Sequence, residues 1–182
     1  MPSQKVNTVL LGSAFLGFLL LSYVANTFFF QSLTADLFQN QFFLAVAMLF
    51  VHNVLVVSLI LLGMTFYVNL VVSNFFKREK YANIIIEHPR TYALVFTLVV
   101  VFLSILRGSS LLGGINVEQL PLVLLVSAPI GIVEGYGIYL TIKKTLSRTM
   151  STKDLIYIYG IFFIAALMEV AFINVLILVA VH

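Results

Sequence analysis

Pro129-Ile130-Gly131-Ile132-Val133-Glu134-Gly135-Tyr136-Gly137 lies inside an apolar run, residues 120–142, in which Glu134 is the one charged side chain. A charged side chain in the middle of a bilayer costs roughly 2.5–3.5 kcal/mol on insertion scales. A sequence that retains one there is expected to supply a partner from a neighbouring helix. Pro129 removes a helix donor, and the three glycines leave room for that neighbour to come close.

The rest of the chain has the same character. Of 182 residues, 62% are hydrophobic and 9% charged, against about 25% charged in soluble domains. Mean hydropathy is +1.12. No soluble fold hides that much apolar surface, so lipid is expected to be the solvent. The fold class that follows is all-α: a polytopic integral membrane helix bundle of about five transmembrane helices in the cell membrane, with 1–182 as a single domain. Net charge is +3, but the basic residues are dispersed in short loops. They read as topology signals rather than as a nucleic-acid surface. With no cysteine, the chain has no disulfide, thiol nucleophile or thiolate metal site. No cofactor is expected.

The apolar runs are residues 9–30, 42–76, 91–112, 120–142 and 155–181. The first is too long for a signal-peptide core and reads as a retained helix. Its Gly12, Ser13 and Gly17 suit close helix packing. Residues 31–41 carry Asp36 and no Lys or Arg, which predicts an outward-facing loop. Leu33, Leu37 and Phe38 within it are at the spacing of a short interfacial helix. The second run has about 35 residues where about 20 suffice, so it must tilt, project or break. Lys77, Arg78, Lys80 and Arg90 surround Glu79, Glu87 and His88 in a basic loop, and Lys143, Lys144, Arg148 and Lys153 make a second. Both are expected on the cytoplasmic side, with the N-terminus inside and the C-terminus outside. Ile84, Ile85 and Ile86 are expected to dip onto the membrane surface or pack beneath the bundle.

The polar residues inside the runs are His52, Asn53, Arg107, Glu134, Glu169 and Asn174. Counting 1.5 Å per residue places His52, Glu134 and Glu169 within about two turns of mid-bilayer. His52 or Arg107 is the expected partner of Glu134, with Asn53 in an interhelical hydrogen bond. The structural reading of Glu134 is a neutral hydrogen-bonded acid or an ion pair that fixes register. The functional reading is a transported-ion or substrate site. Arg107 would otherwise snorkel or pair with Glu118. Glu169, one turn after Ala165 and Ala166, suits a packed interhelical face. Gly131, Gly135 and Gly137, beside Pro129, are expected on Glu134's own side of the helix, making it the hub of the bundle or a dimer seam. Tyr139, Tyr157 and Tyr159 read as an aromatic belt. Metalloprotease, paired-aspartate, serine-hydrolase and phosphate-loop motifs are missing from the sequence, so no enzymatic activity is expected.

Two stretches carry a family resemblance. His52-Asn53, followed by Gly63 and Asn69, resembles the Asn-containing second helix of the stage II sporulation protein M family. Pro129-Ile130-Gly131-Ile132-Val133-Glu134 resembles that family's Pro-His-Gly-Ile-x-Glu signature. The likeness covers residues 50–139, about half the chain, through short motifs of moderate specificity. Ile130 stands where the family has His, so no role of that His carries over. Gly135-Tyr136 replaces the usual apolar-Pro continuation. The resemblance implies a small multi-pass membrane protein, similar in spore formers to a scaffold that recruits peptidoglycan-degrading proteins. A scaffold or assembly role follows as the expectation, with the lipid bilayer, a second copy in a homodimer, and other membrane or envelope proteins as partners. The alternative is a small transporter or permease subunit built around a midplane Glu/His site.

Overall fold

The computed structural model describes residues 2–32, 35–73, 84–111 and 120–180, with side chains at 6–29, 31–32, 37–73, 84–103 and 128–175. It is all-helical, with no strand among the described residues. The elements are α1 (Pro2–Ser32), α2 (Ala35–Asn40), α3 (Phe42–Val72), α4 (Ile84–Glu87), α5 (Pro89–Leu111), α6 (Leu120–Leu146) and α7 (Thr152–Ala180). Among the described residues, three segments are long and apolar enough to cross a membrane: Val6–Phe29 in α1, Phe42–Val72, and Thr152–Val175 in α7. Pro89–Leu103 is a shorter apolar helix. The outer faces are equally apolar: Phe43, Leu98 and Ile132 are 85%, 63% and 71% exposed. A water-soluble monomer rarely tolerates contiguous surface of that kind. The protein is membrane-embedded.

The second apolar run does not break between Phe42 and Val72. α3 holds 31 residues in one helix, about 46 Å at 1.5 Å per residue, against a hydrocarbon core of about 30 Å. It therefore tilts or projects. α6 runs through Pro129, which lies inside a continuous helix. Pro2 begins α1, where a missing N–H leaves no bond unmade.

The ends of α6 and α7 are set by local chemistry. Thr149 N–H donates to the Lys144 carbonyl at 3.0 Å and Arg148 N–H to the Thr145 carbonyl at 3.0 Å. With Arg148 at φ 54°, this is a Schellman stop with an arginine in the position glycine usually takes. Three residues on, Ser151 and Asp154 cap α7 reciprocally. Ser151 N–H donates to Asp154 Oδ2 at 3.0 Å, and Asp154 N–H donates to Ser151 Oγ at 3.2 Å. Lys144 Nζ reaches Asp154 Oδ1 at 3.2 Å and ties the two ends together.

α3 and α6 form the centre. α3 packs against α1, α2, α6 and α7, and α6 against α3, α5 and α7. Two apolar layers fill the interior. One is built from Val57, Val68, Ala93, Ile138, Ile142, Leu146, Ile158 and Phe162, with Ile85 and Ile86 of α4 packed beneath it. Ile85 and Ile86 thus take one of the two placements expected, whereas Ile84 is exposed. The other layer is Leu37, Phe38, Ala45, Val46, Leu49, Ala166 and Val170. Leu37 and Phe38 were expected on a helix at the lipid interface. α2 does form, but it turns both side chains inward against α3 and α7.

The joint between α1 and α3 is reciprocal. Phe66 of α3 lies over Gly12 of α1, and Phe15 of α1 lies over Gly63 of α3. The two rings stack at 6.4 Å. Each glycine provides the recess that the opposite ring fills.

Candidate functional site

Between the two apolar layers lies a polar one. On α3, Asn53 falls one turn from Leu49 on one side and one turn from Val57 on the other. It is therefore buried, at 8% exposure. Its Nδ2 donates to Oε1 of Glu134 on α6 at 3.4 Å. The bond is long, since N–H···O contacts centre on about 2.9–3.0 Å. It nonetheless joins the two central helices.

Glu169 enters from α7. It follows Ala165 and Ala166 and precedes Val170, all at 0% exposure, so it shares the packed interhelical face expected from its sequence. Glu169 lies within electrostatic reach of Glu134. The described Lys and Arg side chains are Arg90, Lys143, Lys144, Arg148 and Lys153, all near helix ends. Lys143, on the same helix as Glu134, is nine residues away, about 13 Å along the axis.

The fourth contributor is Thr97 of α5. Its methyl lies 3.5 Å from the place a Cβ on Gly135 would take. Its hydroxyl is buried and, among the described residues, has no hydrogen-bond partner. Leaving such a group unsatisfied costs about 1–3 kcal/mol. Sequence reasoning missed Thr97, because a threonine in an apolar helix usually back-bonds to the carbonyl one turn earlier. Thr141 and Thr145 do so, to Gly137 O at 2.8 Å and Thr141 O at 2.7 Å.

Several expectations about the site change here. The donor described to Glu134 is Asn53, not its neighbour His52. Adjacent helical residues point about 100° apart, so an Asn53 aimed at α6 turns His52 elsewhere. The imidazole stacks on Phe29 of α1, with centroids 4.6 Å apart and planes 10° from parallel. Arg107 falls in α5, but its side chain is outside the described residues, as is Glu118. The glycines do not share one face. Gly131 and Gly135 lie against Val101 and Thr97 of α5, whereas Gly137 lies against Phe162 of α7. These seats are filled from within the chain, which makes α6 a hub. The tyrosines divide as well. Tyr159 meets Ser58 at 3.4 Å, while the Tyr139 ring lies beneath Lys143 Nζ at 5.6 Å, within cation–π range.

Chemically, the layer offers two carboxyls, an amide donor and a hydroxyl. It can clamp helices through hydrogen bonds, or hold a proton or a small cation. No group of three metal-ligating side chains occurs among the described residues. What the fold and the site define together is an all-helical membrane protein with a buried acidic layer at its centre. Compared with known proteins, the chain matches no family model, no curated protein and no solved structure. The likeness to the stage II sporulation protein M family therefore rests on the motif residues themselves.

Proposed function

We propose that the protein is an integral membrane scaffold that organises membrane or cell-envelope partners, as the resemblance to the stage II sporulation protein M family implies. In this reading α1, α3, α5, α6 and α7 each cross the cell membrane, with the N-terminus cytoplasmic and the C-terminus outside. Two copies associate as a homodimer. The observation that carries the reading is the Asn53–Glu134 hydrogen bond between the central helices. One motif residue from each resembling stretch takes part in it, and each holds the other's helix. A polar clamp of this kind gives a rigid platform and needs no aqueous pathway. The test is Glu134→Gln, which retains a hydrogen-bonding amide or carbonyl at the same place. Fold, oligomeric state and co-purifying partners should be unchanged. A variant that folds but loses a proton or cation flux measured with the wild type in proteoliposomes overturns the scaffold.

The second reading, a small transporter or permease subunit, is favoured by Glu169 of α7 lying within electrostatic reach of Glu134 of α6. A clamp needs one acid, whereas two acids in reach of one another suit a proton or cation. Its midplane site consists of Glu134 and Glu169 with Asn53, and His52 belongs to the α1 side.

A further inference from the structure

We propose that the outer surface of the α6–α7 hairpin, at Tyr136, Tyr139, Lys143 and Tyr157, binds the headgroup phosphate of one anionic phospholipid. The two helices are tied at their turn by the Lys144–Asp154 ion pair. Tyr136, Tyr139 and Lys143 follow one another at helical spacing along α6, as Lys153 and Tyr157 do along α7. The Tyr136 and Tyr157 hydroxyls are hydrogen-bonded to one another across the two helices. Such a phenol pair holds two hydrogens and spends one on the bond between them, so one O–H remains to donate outward. Lys143 Nζ lies over the Tyr139 ring at 5.6 Å, and Tyr139 is within electrostatic reach of Tyr136. Tyr136 and Tyr157 are 47% and 57% exposed, so these donors open away from the bundle.

A lysine that only marks the membrane surface extends toward water. Lys143 instead folds back over Tyr139, one turn nearer the apolar part of α6, because long side chains on a helix lean toward its N-terminus. Tyr157, on a helix that starts at the turn, leans toward the turn for the same reason. The apolar segment of α7 begins at Thr152, which puts the patch at the level where headgroups give way to hydrocarbon. Its charge calls for an anion. Among the described residues, Lys143, Arg148 and Lys153 have no carboxylate partner. From Lys143 to Asp154, four cations and one anion leave three positive charges. The surface beyond the patch selects a lipid over a soluble anion. Ile132 lies one turn from Tyr136 on α6, and Ile164 two turns from Tyr157 on α7; they are 71% and 53% exposed. From the turn inward, each helix thus presents a cation, a phenol and an aliphatic side chain, in the order of phosphate, ester and tail in a phospholipid. A soluble phosphate or an acidic peptide makes no use of the last step. Gly160, between Tyr157 and Ile164, has nothing within 4 Å of the place its Cβ would take and leaves a shallow track for the tail.

The experiment uses the full chain, delipidated in a neutral detergent and titrated separately with phosphatidylglycerol and with phosphatidylcholine of the same tails, bound lipid being counted by native mass spectrometry. The wild type should retain phosphatidylglycerol in preference to phosphatidylcholine. Lys143→Gln should lower that preference about fivefold, the worth of one basic residue against an anionic lipid surface, and Lys143→Arg should keep it. Tyr157→Phe changes no charge and should lower it as well. Arg90→Gln removes an exposed cation at the start of α5, outside the patch, and should leave it unchanged. Circular dichroism checks that each variant keeps its helices, and Lys153→Gln serves if Lys143→Gln does not fold. Equal retention of the two lipids by the wild type overturns the proposal. So does a loss in Arg90→Gln equal to that in Lys143→Gln, which would mean that net charge alone draws the lipid. Release of phosphatidylglycerol by millimolar inorganic phosphate also overturns it and would assign the patch to a soluble anion.

Discussion

Gly137 of α6 and Phe162 of α7 are in such close contact that a Cβ added to Gly137 would stand 2.6 Å from Phe162 Cε2. Phe162 is 2% exposed, so its ring has no space into which to withdraw. Gly137→Ala should therefore destabilise the bundle by about 1–3 kcal/mol, the usual range for overpacking. Gly160→Ala adds a methyl with nothing within 4 Å. It should be neutral, or stabilising by up to about 1 kcal/mol through helix propensity. Denaturant titration of both variants in detergent micelles, followed by circular dichroism, checks the pair. Equal stabilities would mean that the α6–α7 contact is not packed as described.

The Asn53–Glu134 bond should have modest net worth. Interhelical hydrogen bonds in membranes average about 0.6 kcal/mol by double-mutant cycle, with about 1.7 as the upper end. At 3.4 Å this one should fall in the lower half. The cycle Asn53→Ala, Glu134→Ala and the double variant measures it. Asn53→Ala alone should cost more than the coupling, because it leaves a partly buried acid without that donor. The second acid reverses the sign. Glu169→Gln removes an acidic neighbour of Glu134 and should leave stability unchanged or raise it. A large loss in Glu169→Gln would show that the two carboxyls attract through a shared proton or ion.

Much of the fold was legible in the sequence. Each of the five apolar runs became a helix, because residues with no water to meet must bond their backbone internally. That Glu134 would find a donor on another helix was legible for the same reason. Which donor was not. His52 and Asn53 differ by one position, and nothing in a helix that is apolar all round says which azimuth faces inward. The same blindness placed Gly131, Gly135 and Gly137 on one face, when the bundle divides them between α5 and α7. Thr97 is a further case. Its role comes from packing against Gly135, some forty positions away in sequence.

The α1–α3 joint gives a third prediction. A Cβ at Gly12 would meet Phe66 at 3.0 Å, and one at Gly63 would meet Phe15 at 3.0 Å. Neither ring is fully buried, so each can yield by a few tenths of an ångström. Single alanine variants should therefore cost less than Gly137→Ala. The double variant should cost more than the sum of the singles, because the stacked rings block each other's retreat. α1 packs chiefly on α3, so its docking should weaken selectively. Loss of crosslinking by a short bifunctional thiol reagent between cysteines introduced at Phe29 and His52, whose rings face one another at 4.6 Å, with α6–α7 crosslinking unchanged, would register that.

Arg148 offers the opposite test, a substitution that should stabilise. It holds φ at 54° to let Thr149 and Arg148 satisfy the last carbonyls of α6. For a residue with a Cβ, the left-handed conformation costs about 1–2 kcal/mol, and glycine escapes that cost. Arg148→Gly should raise the unfolding free energy by about 1 kcal/mol even though glycine adds some freedom to the unfolded chain. Arg148→Ala removes the same charge and keeps the strain, so it should show no gain. Unfolding both variants beside the wild type separates backbone from charge. If alanine stabilises as much as glycine, the benefit comes from removing a cation near Lys143 and Lys144 rather than from the turn.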